Sequence, residues 1–163
     1  MSNTAFASDL TEEKLYFIIN DNEIIYYGED YENAETGEYF RWITNPNAKG
    51  EIAKNFEFKI KHSVKSSKFT INSTKVSVES SAKVTDAAND PVSGYNNHPY
   101  SVSITGTYSR NLDFSTGGTE SGTISGLVNG GSYTVTISNQ KSFPSTPEYP
   151  VLYLQGSGSI TCM

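Results

Sequence analysis

Along Ser121-Gly-Thr-Ile-Ser-Gly-Leu-Val-Asn-Gly-Gly-Ser-Tyr-Thr-Val-Thr-Ile137, apolar and small polar residues alternate on both sides of a glycine-rich turn. Period-two alternation marks a strand with one buried face. The pattern recurs upstream. Phe56, Phe58, Ile60, His62 and Val64 share one face of a predicted strand, and Glu57, Lys59, Lys61, Ser63 and Lys65 share the other. Val76, Val78, Ala82 and Val84 form the inner face of a second strand, and Tyr100, Val102 and Ile104 that of a third. Leu112–Phe114 reads as a short edge strand, and Val151–Leu154 leads through Gly156-Ser-Gly-Ser-Ile160 into a last one. Asp86–His98, rich in Asn, Asp, Gly and Pro, is a loop. Strands follow one another without helical crossovers, so an antiparallel all-β fold is expected. Its core should contain Phe58, Ile60, Val76, Val78, Val102, Ile104, Tyr133, Val135 and Ile137.

The turn within 121–137 allows two registers. In one, Asn129-Gly130 closes a two-residue hairpin, because that pair supplies the positive φ of a type I′ turn. Ile124 then faces Val135, and Leu127 points to solvent. In the other, Gly126-Leu127, Gly130 and Tyr133-Thr-Val-Thr-Ile137 resemble the corner at which fibronectin type III and immunoglobulin-like domains pass from one sheet to the other. The resemblance implies a β-sandwich in which Leu127 and Tyr133 are buried together and the tyrosine hydroxyl bonds back to the backbone. The sandwich pattern favours this second register.

Composition changes near residue 62. Residues 1–62 hold six Ser plus Thr and eleven aromatics; residues 63–163 hold thirty-two and nine. Three parts are expected: a flexible or single-turn N-terminus over 1–14, an aromatic and acidic β extension over 15–55, and a Ser/Thr-rich sandwich over 56–163. Within the extension, strands read at Leu15–Ile19, Glu23–Tyr27 and Glu38–Thr44, and residues 28–37 form an acidic loop. Its strands are apolar on both faces, so they are sandwiched between layers or offered to a partner.

Charge excludes one class of partner. The net charge is −6, and a nucleic-acid binder needs a basic field. Residues 1–38 carry ten acids and one lysine, whereas residues 39–83 carry nine bases and three acids. No apolar run approaches the ~20 residues of a membrane-spanning helix, so no transmembrane segment is expected. The one cysteine, Cys162, leaves no intrachain disulfide and no cysteine-based zinc site. Ala5-Phe6-Ala7 before Ser8 has the small-x-small form of a signal-peptidase site, with no apolar segment ahead of it. A secreted or cell-surface bacterial protein is the expectation.

Catalytic signals are poor. Gly118-Thr-Glu-Ser-Gly122 and Gly122-Thr-Ile-Ser-Gly126 place the serine wrongly for a nucleophile elbow. Ser80…Lys83 and Ser138…Lys141 have Ser-x-x-Lys spacing but lie on strands. His62 falls on an apolar strand face, and His98 precedes Pro99 in a loop. Asp21 with Glu23, residues 29–32 and Asp86…Asp90 gather oxygen ligands of the kind calcium takes, without a recognised spacing. No catalytic residue, metal or cofactor is assigned. The aromatics are the best hint of binding: Tyr26, Tyr27, Tyr31, Tyr39 and Trp42 gather around the acidic loop, and such side chains suit sugar rings or protein hot spots. The expected function is a noncatalytic binding or adhesion module for a protein or carbohydrate ligand. A membrane-active, pore-forming β protein and a small secreted hydrolase are the alternatives.

Overall fold

The alternating runs become the strands of a two-sheet sandwich. The computed structural model describes residues 31–46 and 53–163 in full, and the backbone of two further strands, β1 (Tyr16–Asn20) and β2 (Glu23–Tyr26), which pair as an antiparallel hairpin. The remaining strands are β3 (Tyr31–Glu32), β4 (Tyr39–Trp42), β5 (Ala53–Ile60), β6 (Ser63–Lys65), β7 (Phe69–Ile71), β8 (Lys75–Thr85), β9 (Pro99–Thr105), β10 (Ser109–Ser115), β11 (Thr119–Ser125), β12 (Gly131–Asn139) and β13 (Tyr153–Cys162). One sheet has the order β11-β8-β13-β5-β4-β3. The other runs β10-β9-β12-β6, with β7 also on β12. Every pairing is antiparallel.

All nine residues expected in the core are buried, and Val135 and Ile137 fully so. Tyr31 and Phe40 join them, so the strands before residue 56 contribute to the same core. The expected long strand through His62 does not form. β5 ends at Ile60, the chain bends at Lys61 and His62, and β6 resumes in the opposite sheet. His62 is therefore exposed rather than on the apolar face, and its carbonyl accepts the Asn139 N–H at 2.7 Å. Alternation on both sides of a bend looks like one strand when the bend carries no glycine or proline.

The Asn129-Gly130 hairpin is not formed either. Ile124 lies opposite Val76 on β8, and Val135 opposite Ile104 on β9, so β11 and β12 belong to different sheets. Gly126 and Gly130 take φ of 79° and 84°, the left-handed region open to glycine. Leu127 and Tyr133 are buried together, and the Tyr133 hydroxyl accepts the Val128 N–H at 2.7 Å. The second register is the one the chain adopts.

Two glycines set how closely β13 lies on its neighbours. Gly158 stands opposite Phe56 and Gly156 opposite Phe58. A methyl group at 158 would sit 2.4 Å from the Phe56 ring, and one at 156 would sit 2.3 Å from the Ser81 carbonyl oxygen. The volume vacated at Gly158 lets the Phe56 ring lie over the strand, and the missing Cβ of Gly156 lets β13 approach the β8 backbone closely. Between the sheets, the fully buried Tyr100 of β9 donates its hydroxyl to Ser80 Oγ of β8 at 2.9 Å. Ser80 donates in turn to the Ser157 carbonyl of β13, also at 2.9 Å. Cys162, at the end of β13, is half-buried against the core.

Val135→Ala should cost about 1–3 kcal/mol, through lost transfer energy and a cavity. Gly158→Ala should cost a similar amount, about 1–3 kcal/mol, through overpacking. Urea denaturation measures both, and a neutral Gly158→Ala would show that the strand spacing is soft. Burial raises the Tyr100 pKa, the Ser80 hydrogen bond opposes that, and Glu120 adds to it. The neutral phenol is thus favoured in the fold. Its contribution is complete below about pH 10, where an unfolded tyrosine begins to ionise, and is lost as the pH rises through the higher folded value. Stability measured from pH 8 to 11 should fall less steeply in Tyr100→Phe than in the wild type.

Candidate binding face

β4 reads Tyr39-Phe40-Arg41-Trp42, and strand alternation sends its side chains to two faces. Phe40 and Trp42 turn inward. Trp42 is half-buried and packs edge-on against Phe40, Phe56 and Phe69 at ring-centre distances of 5.3, 5.9 and 5.0 Å. Its indole N–H donates to Ser67 Oγ at 3.2 Å. Trp42 therefore seals the sandwich where β4 approaches β6 and β7. Tyr31, opposite Phe40 on β3, is 8% exposed and belongs to the core.

Tyr39 and Arg41 turn outward. The Arg41 guanidinium lies 3.9 Å from the Tyr39 ring centre. Its two terminal nitrogens reach Glu32 and Glu57, each at 3.5 Å. These long, solvent-screened ion pairs add at most about 1 kcal/mol each to stability, but they orient the guanidinium plane. Tyr39, Lys59, Gln155 and Lys83 form one register row across β4, β5, β13 and β8. Gln155 Nε2 donates to the Tyr39 hydroxyl at 3.3 Å, and its Oε1 accepts from Thr85 Oγ1 at 3.0 Å.

Lys59, on the polar side of its strand, is nevertheless 5% exposed. The loop after β8 and the ring of Tyr153 lie over it. Its Nζ lies 4.4 Å from the Tyr153 ring centre and donates to Asn89 Oδ1 at 2.7 Å. Burial lowers its pKa, and Asp86 partly restores it. The Tyr153 hydroxyl donates to the Thr36 carbonyl; burial raises its pKa, with Glu38 adding to the effect.

The five aromatics singled out in the sequence do not make one platform. Tyr31 and Trp42 are part of the packed interior, and Tyr39 faces the other way. Tyr26 lies on a strand described by its backbone alone, and Tyr27 lies outside the described residues. Residues 39 and 42 are an odd number apart, so on a regular strand they cannot share a face. Arg41, Lys59, Tyr153 and Gln155 were not singled out from the sequence. Strand pairing brings three of them beside Tyr39, and no local pattern shows that pairing.

The two histidines stand apart from this face. His98 is buried, stacked on Phe143 at 4.6 Å, with Nε2 2.7 Å from Asn139 Oδ1. Asp86 Oδ1 accepts the N–H groups of Ala88 and Asp90 at 2.9 Å each, which ties its loop into a closed turn. Among the described residues, no group of three or more His, Cys, Asp or Glu converges as a metal site. No helix among them is long and apolar enough to cross a membrane.

No protein-family model matches the chain, and no curated protein matches it. Among solved structures it is similar to Drosophila melanogaster CENP-C bound to CAL1, at 8% identity over 79% of this chain and 77% of that chain, with a TM-score of 0.29. It is also similar to the Drosophila melanogaster CENP-C cupin domain, at 9% identity over 96% of this chain and 81% of that chain, with a TM-score of 0.27.

Trp42→Ala should destabilise the fold by about 3 kcal/mol, as expected for a large packed aromatic. Tyr39→Ala should cost less than about 1 kcal/mol, as expected for an exposed-face substitution. Chemical denaturation of the two variants checks the assignment of core and surface, and equal losses would overturn it.

Proposed function

We propose that this chain is a noncatalytic binding module that recognises a protein ligand through the outer face of its six-stranded sheet, around Tyr39 and Arg41. The observation that carries the reading is the stacked pair itself. The Arg41 guanidinium carbon lies 3.9 Å from the Tyr39 ring centre and its terminal nitrogens reach two carboxylates, on a strand whose other face is locked in the core. Tyrosine and arginine are the residues on which protein interfaces most depend, and a rigid element presents them at low entropic cost. A glycan is the second reading, but a sugar would have to displace Arg41 to stack on the ring face it covers. Glu32 and Glu57 flank the pair, and a basic partner with salt-sensitive association is the reading we favour.

We place the module in the immunoglobulin-like and fibronectin type III class of sandwiches. The pairing of β8 with β11 in one sheet and β9 with β12 in the other, joined by the Leu127–Tyr133 corner, supports this. The position of β13 departs from the class. It lies between β8 and β5, where those domains add the last strand beside the equivalent of β12. An extracellular or cell-surface location agrees with the disulfide-independent, Ser/Thr-rich strands, and is read as bacterial.

Pull-down and a glycan array with the wild type, Tyr39→Ala and Arg41→Ala test the function. A protein partner should lose at least tenfold in affinity with each variant, about 1.4 kcal/mol, and weaken as salt is raised. Affinity unchanged in both variants would remove this face from the interaction. Glycan binding that is insensitive to salt and survives Arg41→Ala would favour the second reading.

A further inference from the structure

Among the described residues, four large hydrophobic side chains stand exposed: Ile43, Tyr108, Val128 and Met163. Single apolar side chains scattered over a surface need no explanation. Three of these four, however, share one end of the sandwich. Tyr108, 71% exposed, lies in the turn between β9 and β10, and Val128, 66% exposed, lies in the corner between β11 and β12. Met163 follows β13 beside them. Ile43 stands apart, its N–H bonded to the Asn55 carbonyl of β5.

The segments at this end are tied to one another. The Tyr133 ring lies between Gly106 of the turn and Gly131 of the corner, where added methyl groups would come within 2.7 and 2.9 Å of it. Arg110 spans the same gap. Its Nε and Nη2 donate to the Ser125 and Gly126 carbonyls at 3.4 and 3.3 Å, and its guanidinium carbon lies 5.8 Å from the Tyr108 ring centre. The Leu127 N–H donates to the Thr74 carbonyl, and the Met163 N–H to the Lys75 carbonyl, each at 3.0 Å. Tyr108 and Val128 therefore project from a fixed frame, and their apolar surface leaves water only against a partner.

The same end is basic. Lys75 is exposed, and the carbonyls that hold Arg110 leave its charge uncompensated. A recess of about 390 Å³ beside the turn is lined by Lys65, Lys68, Thr107 and Ser132. Residues 63–75, 105–110 and 125–132 contain no Asp or Glu, in a chain whose net charge is −6. A positive end on an acidic molecule turns that end toward a negative surface. A protein partner would need a separate recess for the side chain on each loop, whereas a fluid bilayer interface closes around whatever projects into it. Tyrosine is enriched at that interface, and lysine and arginine meet its anionic headgroups.

We propose that this end of the sandwich docks on an anionic lipid bilayer, with Tyr108 and Val128 entering the interface and Lys75, Lys68 and Arg110 at the headgroups. Strength of such docking follows the apolar area buried plus the attraction to anionic lipid. A few side chains on two loops make it peripheral and reversible. The outer face around Tyr39 and Arg41 is left free by it.

The test is co-sedimentation of the purified full chain with phosphatidylcholine vesicles, with and without about one-third phosphatidylserine. Wild type should bind the phosphatidylserine vesicles at least about tenfold better, and less well as salt rises from about 0.05 to 0.5 M. Tyr108→Ser/Val128→Ser should lose about tenfold or more through lost apolar burial. Lys75→Ser should lose about fivefold, the share of one base near a charged surface. These positions are exposed, so circular dichroism and melting temperature should match the wild type. Ile43→Ser removes an exposed apolar side chain elsewhere and should bind as the wild type does, and trapped dye should stay inside the vesicles. Folded wild type that ignores phosphatidylserine vesicles, or binds both compositions equally at every salt concentration, would overturn the proposal. So would undiminished binding by Tyr108→Ser/Val128→Ser, or an equal loss in Ile43→Ser, which reports general stickiness. Dye release would overturn it in favour of a protein that breaches the bilayer.

Discussion

Two apolar sheet faces can slide over one another at little cost, because burial is roughly proportional to area and indifferent to direction. In this domain the freedom is removed by one buried hydroxyl. Tyr100 projects from β9 across the interior to Ser80 on β8, and Ser80 passes the hydrogen bond on to the backbone of β13. Any shift of one sheet would leave the phenol or the serine buried and unpaired, at a cost of about 1–3 kcal/mol. The same strand β13 carries Gly158, which makes room for the Phe56 ring, and Gly156, which lies close against β8, so hydrogen bonding and packing fix a single register.

That arrangement explains which parts of the fold were legible in the sequence. β8, β9 and β12 each bury one face and solvate the other, and their alternation identified Val76, Val78, Val102, Ile104, Val135 and Ile137 correctly. The Leu127 and Tyr133 corner was also legible, because glycine and tyrosine spacing encodes it locally. The bend at Lys61 and His62 was hidden. Alternation continues on both sides of it, and the switch of sheet is decided by which neighbours the strands find. Ser80 is the instructive exception on β8. It occupies an inward position that hydrophobicity alone would count as a defect, and the residue that justifies it lies twenty positions away.

The candidate face was legible only in part. Clustering of aromatics near the acidic loop located β4, but a cluster in sequence is divided by the pleat of the strand. Trp42 went to the core and Tyr39 to the surface. Arg41 is an ordinary exposed base until pairing sets Glu57 beside it and β3 supplies Glu32. Lys59 shows the converse. Its place on the polar side of β5 was evident, yet its burial depends on Tyr153 and on the loop that begins near residue 86, and no window around residue 59 contains them.

The place of β13 has a consequence for how the chain is made on the ribosome. It follows all the other described strands in sequence, yet it lies in the middle of the larger sheet, flanked by β5 and β8. Until it emerges, those two strands have no partner on their facing edges, and Tyr100 has a serine whose own acceptor is still missing. Strand pairing over such separations is slow, and open edges invite association between nascent chains. The larger sheet is thus closed only once β13 has left the ribosome, and until then the facing edges of β5 and β8 stay open.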